Sequence, residues 1–330
     1  MNTTSPAFID SRISAAFIDE TGGNPVIREV AAPIPQPGEV ILRMHAAALN
    51  FADLLKARGQ YQERADWPFV IGLEGAGEVV TAPENSDLHP GDRVAVLAQG
   101  SMSQMLAVPA DACVKIPDSM SYQEAAGFQI AYGTSHLALT LRAGLRAGET
   151  LLVLGAAGGV GLTAVEIGHA MGARVIGVAR GQDRLEVVRK AGADLLIDSA
   201  TCDNLTAALR EAGGVDVVYD AVGDAPGEAA FRALKPGGRY LVIGFAGGKP
   251  PALPLNHALV KNIAIHGLYW GGYGQLDPKA RLDSLNQLFA MFQARQLQPV
   301  TGEVLPLAEI AKGFAMLRER SSVGKIVISL

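Results

Sequence analysis

Residues 151–161, LLVLGAAGGVG, restrict the fold more than any other part of this 330-residue chain. An unbroken aliphatic stretch reads as a strand buried on both faces. The glycine-rich turn after it opens directly into helical spacing over 160–171. The pattern then repeats, with strands expected at 174–179, 195–198, 215–220, 239–244 and 263–269. Helices are expected between them at 182–191, 204–211, 227–234 and 256–261. Continuously apolar strands alternating with helices call for a parallel sheet covered on both faces. Six such strands suit an open, doubly wound α/β sheet.

The turn also carries chemistry. Ala156-Ala157-Gly158-Gly159-Val160-Gly161 keeps the G-x-G-x-x-G spacing, with alanine in the first position. Gly158 lets backbone approach a pyrophosphate, and Gly161 permits close contact between helix and strand. The amides of Gly159 and Val160 would present a helix N-terminus to the anion. Such a triplet also occurs in tight turns that bind nothing, but this one follows an apolar strand and heads a six-strand series. Dinucleotide binding is the expectation. The end of the second strand selects the dinucleotide. A carboxylate there would accept the ribose hydroxyls of NAD. This chain has Ala179, then Arg180, with Arg184 four positions on. Two guanidinium groups beside a small residue favour a 2′-phosphate, so NADPH is expected. Asp183 falls in the first turn of the next helix, where acids are favoured anyway.

Upstream of residue 150 the grammar differs. Short strands at 13–19, 39–47, 70–81 and 90–97 are separated by proline and glycine turns, suggesting a barrel-like module. A helical segment is expected at 51–59. Ser121 with Glu124 three residues on forms a capping box for another. The tail offers helices at 281–295 and 307–320 and a final strand at 325–330, expected to return to the first module. Charged residues are only 18% of the chain and hydrophobic ones 49%, which excludes a disordered polypeptide. With 28 basic against 33 acidic residues and no dense basic cluster, nucleic-acid binding is not expected. Residues 1–12 lack a basic start followed by an apolar core, so no leader is expected. The longest charge-free apolar runs, 127–141 and 150–165, fall short of the ~20 residues that cross a bilayer. Cys113 and Cys202 are too few for a disulfide framework, although one long-range bridge stays open. These features together point to a cytoplasmic protein.

Several segments occur in a telling order: HAAALNFADLLKARGQY at 45–61, IGLEGAGEVV at 71–80, PGDRV at 90–94, the AAGGVG turn, and GKIVISL at 324–330. Together they resemble the medium-chain dehydrogenase/reductase superfamily, specifically its zinc-free NADPH:quinone oxidoreductase branch. The resemblance spans the chain from about residue 13 to 330. It implies a GroES-like β-barrel domain of residues 1–128 and 271–330, and a Rossmann NADPH-binding domain of residues 129–270. Zinc-dependent members carry a cysteine near Asn50, a Gly-His-Glu in the second motif and a four-cysteine lobe. Here Leu49-Asn50-Phe51-Ala52-Asp53 has no thiolate, Gly72-Leu73-Glu74 has leucine for histidine, and no cysteine lies between Asp53 and Cys113. Glu74 alone cannot hold a catalytic zinc. The six histidines form no ligand-spaced pair. No metal site and no flavin are expected.

Without a Lewis acid, the easier chemistry is hydride delivery to an acceptor that already stabilises negative charge, such as a quinone or a conjugated enone. The resemblance implies reduction of quinones in a zinc-free interdomain cleft. A second reading is an NADPH-dependent enone or enoyl-thioester reductase, and a third is a non-catalytic NADPH-binding redox sensor. Asn50, Phe51 and Asp53 match positions lining the nicotinamide ribose, while Asn50 and Asp53 also read as caps of the next helix. Tyr61 aligns with a tyrosine that donates to substrate in related enoyl-thioester reductases, and it also reads as a partly buried packing residue. By position, Thr134 sits near the nicotinamide and Ser199 near the adenosine phosphate, where several relatives have tyrosine. Ala221 and Val222 end the fourth strand, and Gly244-Phe245-Ala246 the fifth. Leu268-Tyr269-Trp270 end the sixth, by the carboxamide, and Arg320 reaches the cofactor from the tail. Trp270 to Tyr273 would wall a flat acceptor or serve a dimer seam. The resemblance further implies a homodimer through the sheet edge at 263–269, a pairing that protects an apolar edge strand.

Overall fold

The computed structural model describes residues 11–63 and 66–330. The first ten residues, part of the expected first domain and of the segment read as lacking a leader, lie outside the described residues. Two compact units emerge: the described residues up to Gln129 together with Val300–Leu330, and Ile130–Pro299.

The first unit is mostly β. Strand β1 (Arg12–Ile18) pairs antiparallel with β2 (Val26–Ala31) and with the two-residue β4 (Phe69–Val70). Strand β3 (Glu39–Leu49) leads into helix α1 (Phe51–Ala57). β5 (Glu74–Thr81), β6 (Arg93–Leu97), β7 (Met105–Pro109) and β8 (Cys113–Lys115) follow, then α2 (Tyr122–Ala126). Ser121 caps α2 as its spacing predicts: Ser121 Oγ accepts the Glu124 amide, and the Glu124 carboxylate accepts the Ser121 amide. β3, at eleven residues, organises this unit by pairing with both β5 and β7. Its side chains alternate between two cores: Val40, Leu42 and Met44 meet Val79, Val94 and Val96, whereas Leu49 joins Leu54, Ile71 and Phe314.

Helix α3 (Phe128–Leu137) carries the chain into the second unit, where β9 (Thr150–Leu154), α4 (Gly159–Ala170), β10 (Arg174–Ala179), α5 (Gln182–Lys190) and β11 (Leu195–Asp198) follow. Then come α6 (Leu205–Glu211), β12 (Val215–Asp220), α7 (Asp224–Ala233), β13 (Leu234–Val242), α8 (Leu255–Lys261) and β14 (Ala264–Gly267). All six strands are parallel, in the order β11-β10-β9-β12-β13-β14. Two halves therefore wind outward from β9 in opposite directions, the doubly wound arrangement. The aliphatic side chains of β9 are all buried, and Leu152, Leu154, Ile176, Val218 and Phe231 form the sheet's core on one face.

The segment after β14 departs from the expected division. It holds α9 (Tyr273–Leu276) and α10 (Pro278–Gln293), and it belongs to the second unit rather than to the β module. The contacts give the reason. Ser284 Oγ of α10 lies 2.8 Å from His136 Nδ1 of α3, and the Gln298 amide donates to the Glu166 carboxylate of α4. Trp270 packs into the notch left by Gly133, with the Arg281 guanidinium 5.6 Å from its ring centre. The return to the first unit comes at residue 300, with β15 (Thr301–Pro306), α11 (Ile310–Glu319) and β16 (Lys325–Ser329). β16 pairs antiparallel with β3 and parallel with β15. Both cysteines are free. No helix among the described residues is long and apolar enough to cross a membrane.

Candidate cofactor and active site

In the second unit the glycine turn joins β9 to α4 at the carboxyl edge of the sheet, where the strand order reverses. Open α/β sheets bind ligands at this place because the diverging connections leave a crevice there. Each glycine has its own cause. Gly155 has φ +70°, a conformation that side chains with a Cβ rarely adopt. A Cβ on Gly161 would lie 2.8 Å from the Gly155 carbonyl carbon and 2.9 Å from Ala156 Cα, with the Gly155 oxygen nearer still. Helix α4 can therefore begin against the end of β9 only with glycine at 161. Gly158 differs: it is exposed, its φ is −78°, and a Cβ there would meet only the Gly155 oxygen at 3.3 Å. The fold needs glycine at 158 far less than at 161; a ligand approaching the backbone would need it.

A buried hydroxyl network supports the turn from beneath. Ser135 Oγ donates to the Val160 carbonyl at 3.0 Å and lies 2.7 Å from Thr163 Oγ1 and 2.9 Å from the Tyr219 hydroxyl. Thr163 Oγ1 also reaches the Val160 and Ala131 carbonyls. These hydroxyls hold the first turn of α4 from α3 and β12. Sequence reasoning missed all three residues, because nothing in their local spacing marks them. Thr134, the neighbour it did select, is buried on α3.

The other strand ends gather on the same edge. At β10, Arg180 is exposed and Arg184 lies in the first turn of α5. At β12, Asp220 is buried; one carboxylate oxygen accepts the amides of Val222 and Gly223, each at 2.8 Å, and the other accepts the Tyr240 hydroxyl. Burial pushes its carboxyl up, and these hydrogen bonds pull it back. The bonds fix the loop carrying Ala221. The Ala221 carbonyl in turn accepts the Ala246 amide at 3.1 Å, and the Gly244 amide donates to the Asp220 carbonyl. So the expected positions 221 and 246 are joined by a backbone hydrogen bond and 244 is tied to Asp220, with Phe245 exposed beside them. Leu268 and Trp270 are buried and Tyr269 is partly exposed; the Leu268 amide continues the β13 ladder through the Val242 carbonyl. Ser199 is exposed one residue beyond β11.

In the first unit, Asn50 and Asp53 form a buried polar cluster with two residues far away in sequence. The Lys325 ammonium donates to Asn50 Oδ1 at 2.6 Å and to Glu74 Oε1 at 2.8 Å, and Asn50 Nδ2 donates to Glu74 Oε1 at 3.0 Å. Asp53 receives the amides of Asn50 at 2.7 Å and Gly72 at 3.3 Å, and it is 1% exposed. The capping expectation is visible here: Asp53 closes the start of α1 on Asn50. Burial raises the Asp53 carboxyl to about 6, against the pull of those amides and of Lys325. Lys325 was legible only as part of a tail motif, and Glu74 only as a carboxylate unable to bind zinc alone. Their pairing is tertiary. The arrangement does not fit a zinc ion, because the donor atoms of Asn50 and Glu74 already enclose an ammonium. Among the described residues, no three His, Cys, Asp or Glu side chains gather into a group able to hold a metal. Phe51 begins α1, Tyr61 is half-buried just beyond it, and Arg320 is the exposed left-handed residue ending α11.

Residues 36–118 match the family model described as an alcohol dehydrogenase GroES-like domain, and residues 159–287 match that of a zinc-binding dehydrogenase. The chain is 36% identical over 299 residues to the quinone oxidoreductase-like protein 2 homolog of Nematostella vectensis, covering 88% of this chain and 81% of that protein. The chain belongs to the medium-chain dehydrogenase/reductase superfamily. Two further relatives are similar over nearly the whole chain. The quinone oxidoreductase of Thermus thermophilus, whose structure was also solved with NADPH, superposes with a TM-score of 0.84 at 31% identity, over 96% of this chain and 100% of that one. The acryloyl-coenzyme A reductase of Metallosphaera sedula is 31% identical over 333 residues, covering 92% of this chain and 96% of that protein. As a member of this superfamily the protein is an oxidoreductase with the fold's GroES-like and Rossmann parts.

Proposed function

We propose that this oxidoreductase uses NADPH to reduce quinones without a metal or a flavin. One observation carries the reading. The glycine turn lies at the switch point of the sheet, and the next strand ends in Ala179-Arg180 rather than in a carboxylate. Gly158 leaves backbone open to a pyrophosphate held by the amides of Gly159 and Val160, with Ala157 beside them. Arg180 and Arg184 take the 2′-phosphate as charge-assisted donors. Thr134, Ser199, Ala221, Gly244, Phe245, Ala246, Leu268, Tyr269 and Trp270 are assigned the rest of the dinucleotide, and Asn50, Phe51, Asp53 and Arg320 its nicotinamide end. NADPH supplies the hydride when bound. The protein's part is to orient donor and acceptor and to exclude water.

The thioester reading keeps one specific support, the similarity to an acryloyl-coenzyme A reductase. In that reading the Tyr61 phenol donates to the developing enolate oxygen. Steady-state rates with a benzoquinone, an enone and a crotonyl thioester, each with NADPH and with NADH, separate the two. Quinone turnover with NADPH supports the main reading. Turnover of the thioester alone, abolished by Tyr61→Phe, overturns it. The protein is also inferred to pair with a second copy along β14. Among the described residues that strand is bonded to β13 alone, and Leu259 and Val260 of the adjoining α8 are each 80% exposed.

A further inference from the structure

Arg180 is a single residue held between two fixed points. On one side, Ala179 ends β10 in register with Asp198 of β11, and its carbonyl accepts the Ser199 amide at 2.9 Å. On the other, the Gly181 amide donates to Asp198 Oδ1 at 2.9 Å. The same oxygen accepts the Ala200 amide at 2.9 Å. Gly181 has φ +83° and nothing within 4 Å of where a Cβ would be. Glycine has the widest backbone freedom of any residue. Here the bond of its amide to Asp198 restrains that freedom. Gly181 is also the residue from which α5 starts, its carbonyl accepting the Leu185 amide at 3.2 Å. Fixing Gly181 therefore fixes both the departure of the Arg180 side chain and the first turn that bears Arg184. The two amides also hold the Asp198 carboxyl below the usual carboxylate range. It is thus an ionised acceptor across the physiological range, with its charge directed into backbone.

We propose that Asp198 is a positioning residue for cofactor choice: it sets the preference for the 2′-phosphorylated dinucleotide by locking the Arg180–Gly181 backbone. This rests on the reading that Arg180 and Arg184 hold the 2′-phosphate. Charge-assisted bonds depend on geometry, so arginines free to wander hold a phosphate less tightly. A carboxylate on the adjoining strand thereby favours NADPH, the opposite of what its charge alone would do.

The test compares kcat and KM for NADPH and NADH in the full-length protein. Asp198→Ala is expected to raise KM for NADPH about tenfold while the NADH constants stay within about twofold. Asp198→Asn keeps the acceptor oxygen and is expected to restore the preference to within about threefold of wild type. Gly181→Ala reaches the same loss by another route, forcing the backbone out of positive φ. In an Arg180→Ala, Arg184→Ala background, Asp198→Ala should change the preference no further. If Arg180→Ala leaves the preference intact, the arginine reading fails and the inference falls with it. If Arg180→Ala shifts the preference but Asp198→Ala does not, or strengthens it as removal of a repelling charge would, only the role of Asp198 is refuted.

Discussion

Two glycines three residues apart should respond to the same substitution in different ways. At Gly161 an added methyl group would sit 2.8 Å from the Gly155 carbonyl carbon and 2.9 Å from Ala156 Cα. Carbon atoms pack best at roughly 3.5–4.0 Å, so the start of α4 must move by about 1 Å. These atoms and the still nearer Gly155 oxygen are all backbone, so no side chain can give way. Overpacking of this kind costs about 1–3 kcal/mol. In a unit of this size that lowers the midpoint of thermal unfolding by roughly 2–4 °C per kcal/mol. The displaced turn also carries the amides of Gly159 and Val160, and a misplacement of about 1 Å can cost roughly 100-fold in a site that works by position. At Gly158 the added methyl group meets only one oxygen, at 3.3 Å, in a backbone conformation open to any residue. Gly158→Ala should therefore change stability by no more than about 0.5 kcal/mol. It should nevertheless weaken NADPH binding by about tenfold or more, through the methyl group standing where pyrophosphate approaches. Calorimetric unfolding and titration with NADPH measure both quantities on each variant. If Gly158→Ala binds NADPH as wild type does, no pyrophosphate approaches that backbone, and the assignment of the turn is wrong.

Lys325→Met should destabilise the first unit by about 3–5 kcal/mol, since it leaves Glu74, 1% exposed, without its cation. Adding Glu74→Gln should recover much of that loss in urea unfolding; no recovery would mean that the loss does not come from the Glu74 charge left without its cation. Burial pushes the Asp53 carboxyl up to about 6 in the folded chain, against an ordinary 3.8. The folded state thus binds this proton more tightly than the unfolded state. The stability it gives is fully present below about 3.8 and declines as pH rises through 6. The urea midpoint of wild type minus that of Asp53→Asn should accordingly fall across this window, and a rising difference would contradict the assignment. Leu259→Glu combined with Ile265→Glu should convert a dimer into a monomer in light scattering, and an unchanged mass would place any second copy elsewhere.

The two parts of the candidate site were legible to different degrees. The nucleotide part is local in sequence: a strand, its turn, a helix, then Arg180 just beyond the next strand. Strand polarity in a parallel sheet puts all such ends on one edge, so reading along the chain also reads across the site. The first unit offers no such shortcut. Lys325 lies 275 residues from Asn50 and 251 from Glu74, and only the pairing of β16 with β3 brings them together. Ser135, Thr163 and Tyr219 were invisible for the same reason, since each hydroxyl satisfies a group on another element. The placement of α10 was misjudged because its amphipathic face says that it packs, without saying on what. Ser284 against His136 decides that.

By itself, then, the sequence determined the winding of the sheet, the glycine turn and the absence of a carboxylate at the end of β10, because each follows from periodicity or steric need within a few residues. Tertiary structure alone decided which carboxylates are charged, which are buried and which backbone each one holds. Asp53, Asp198 and Asp220 are one residue type with three environments, their carboxyls raised by burial or lowered by amides. Burial and hydrogen bonding are properties of neighbours in space, and a linear string of residues does not list them.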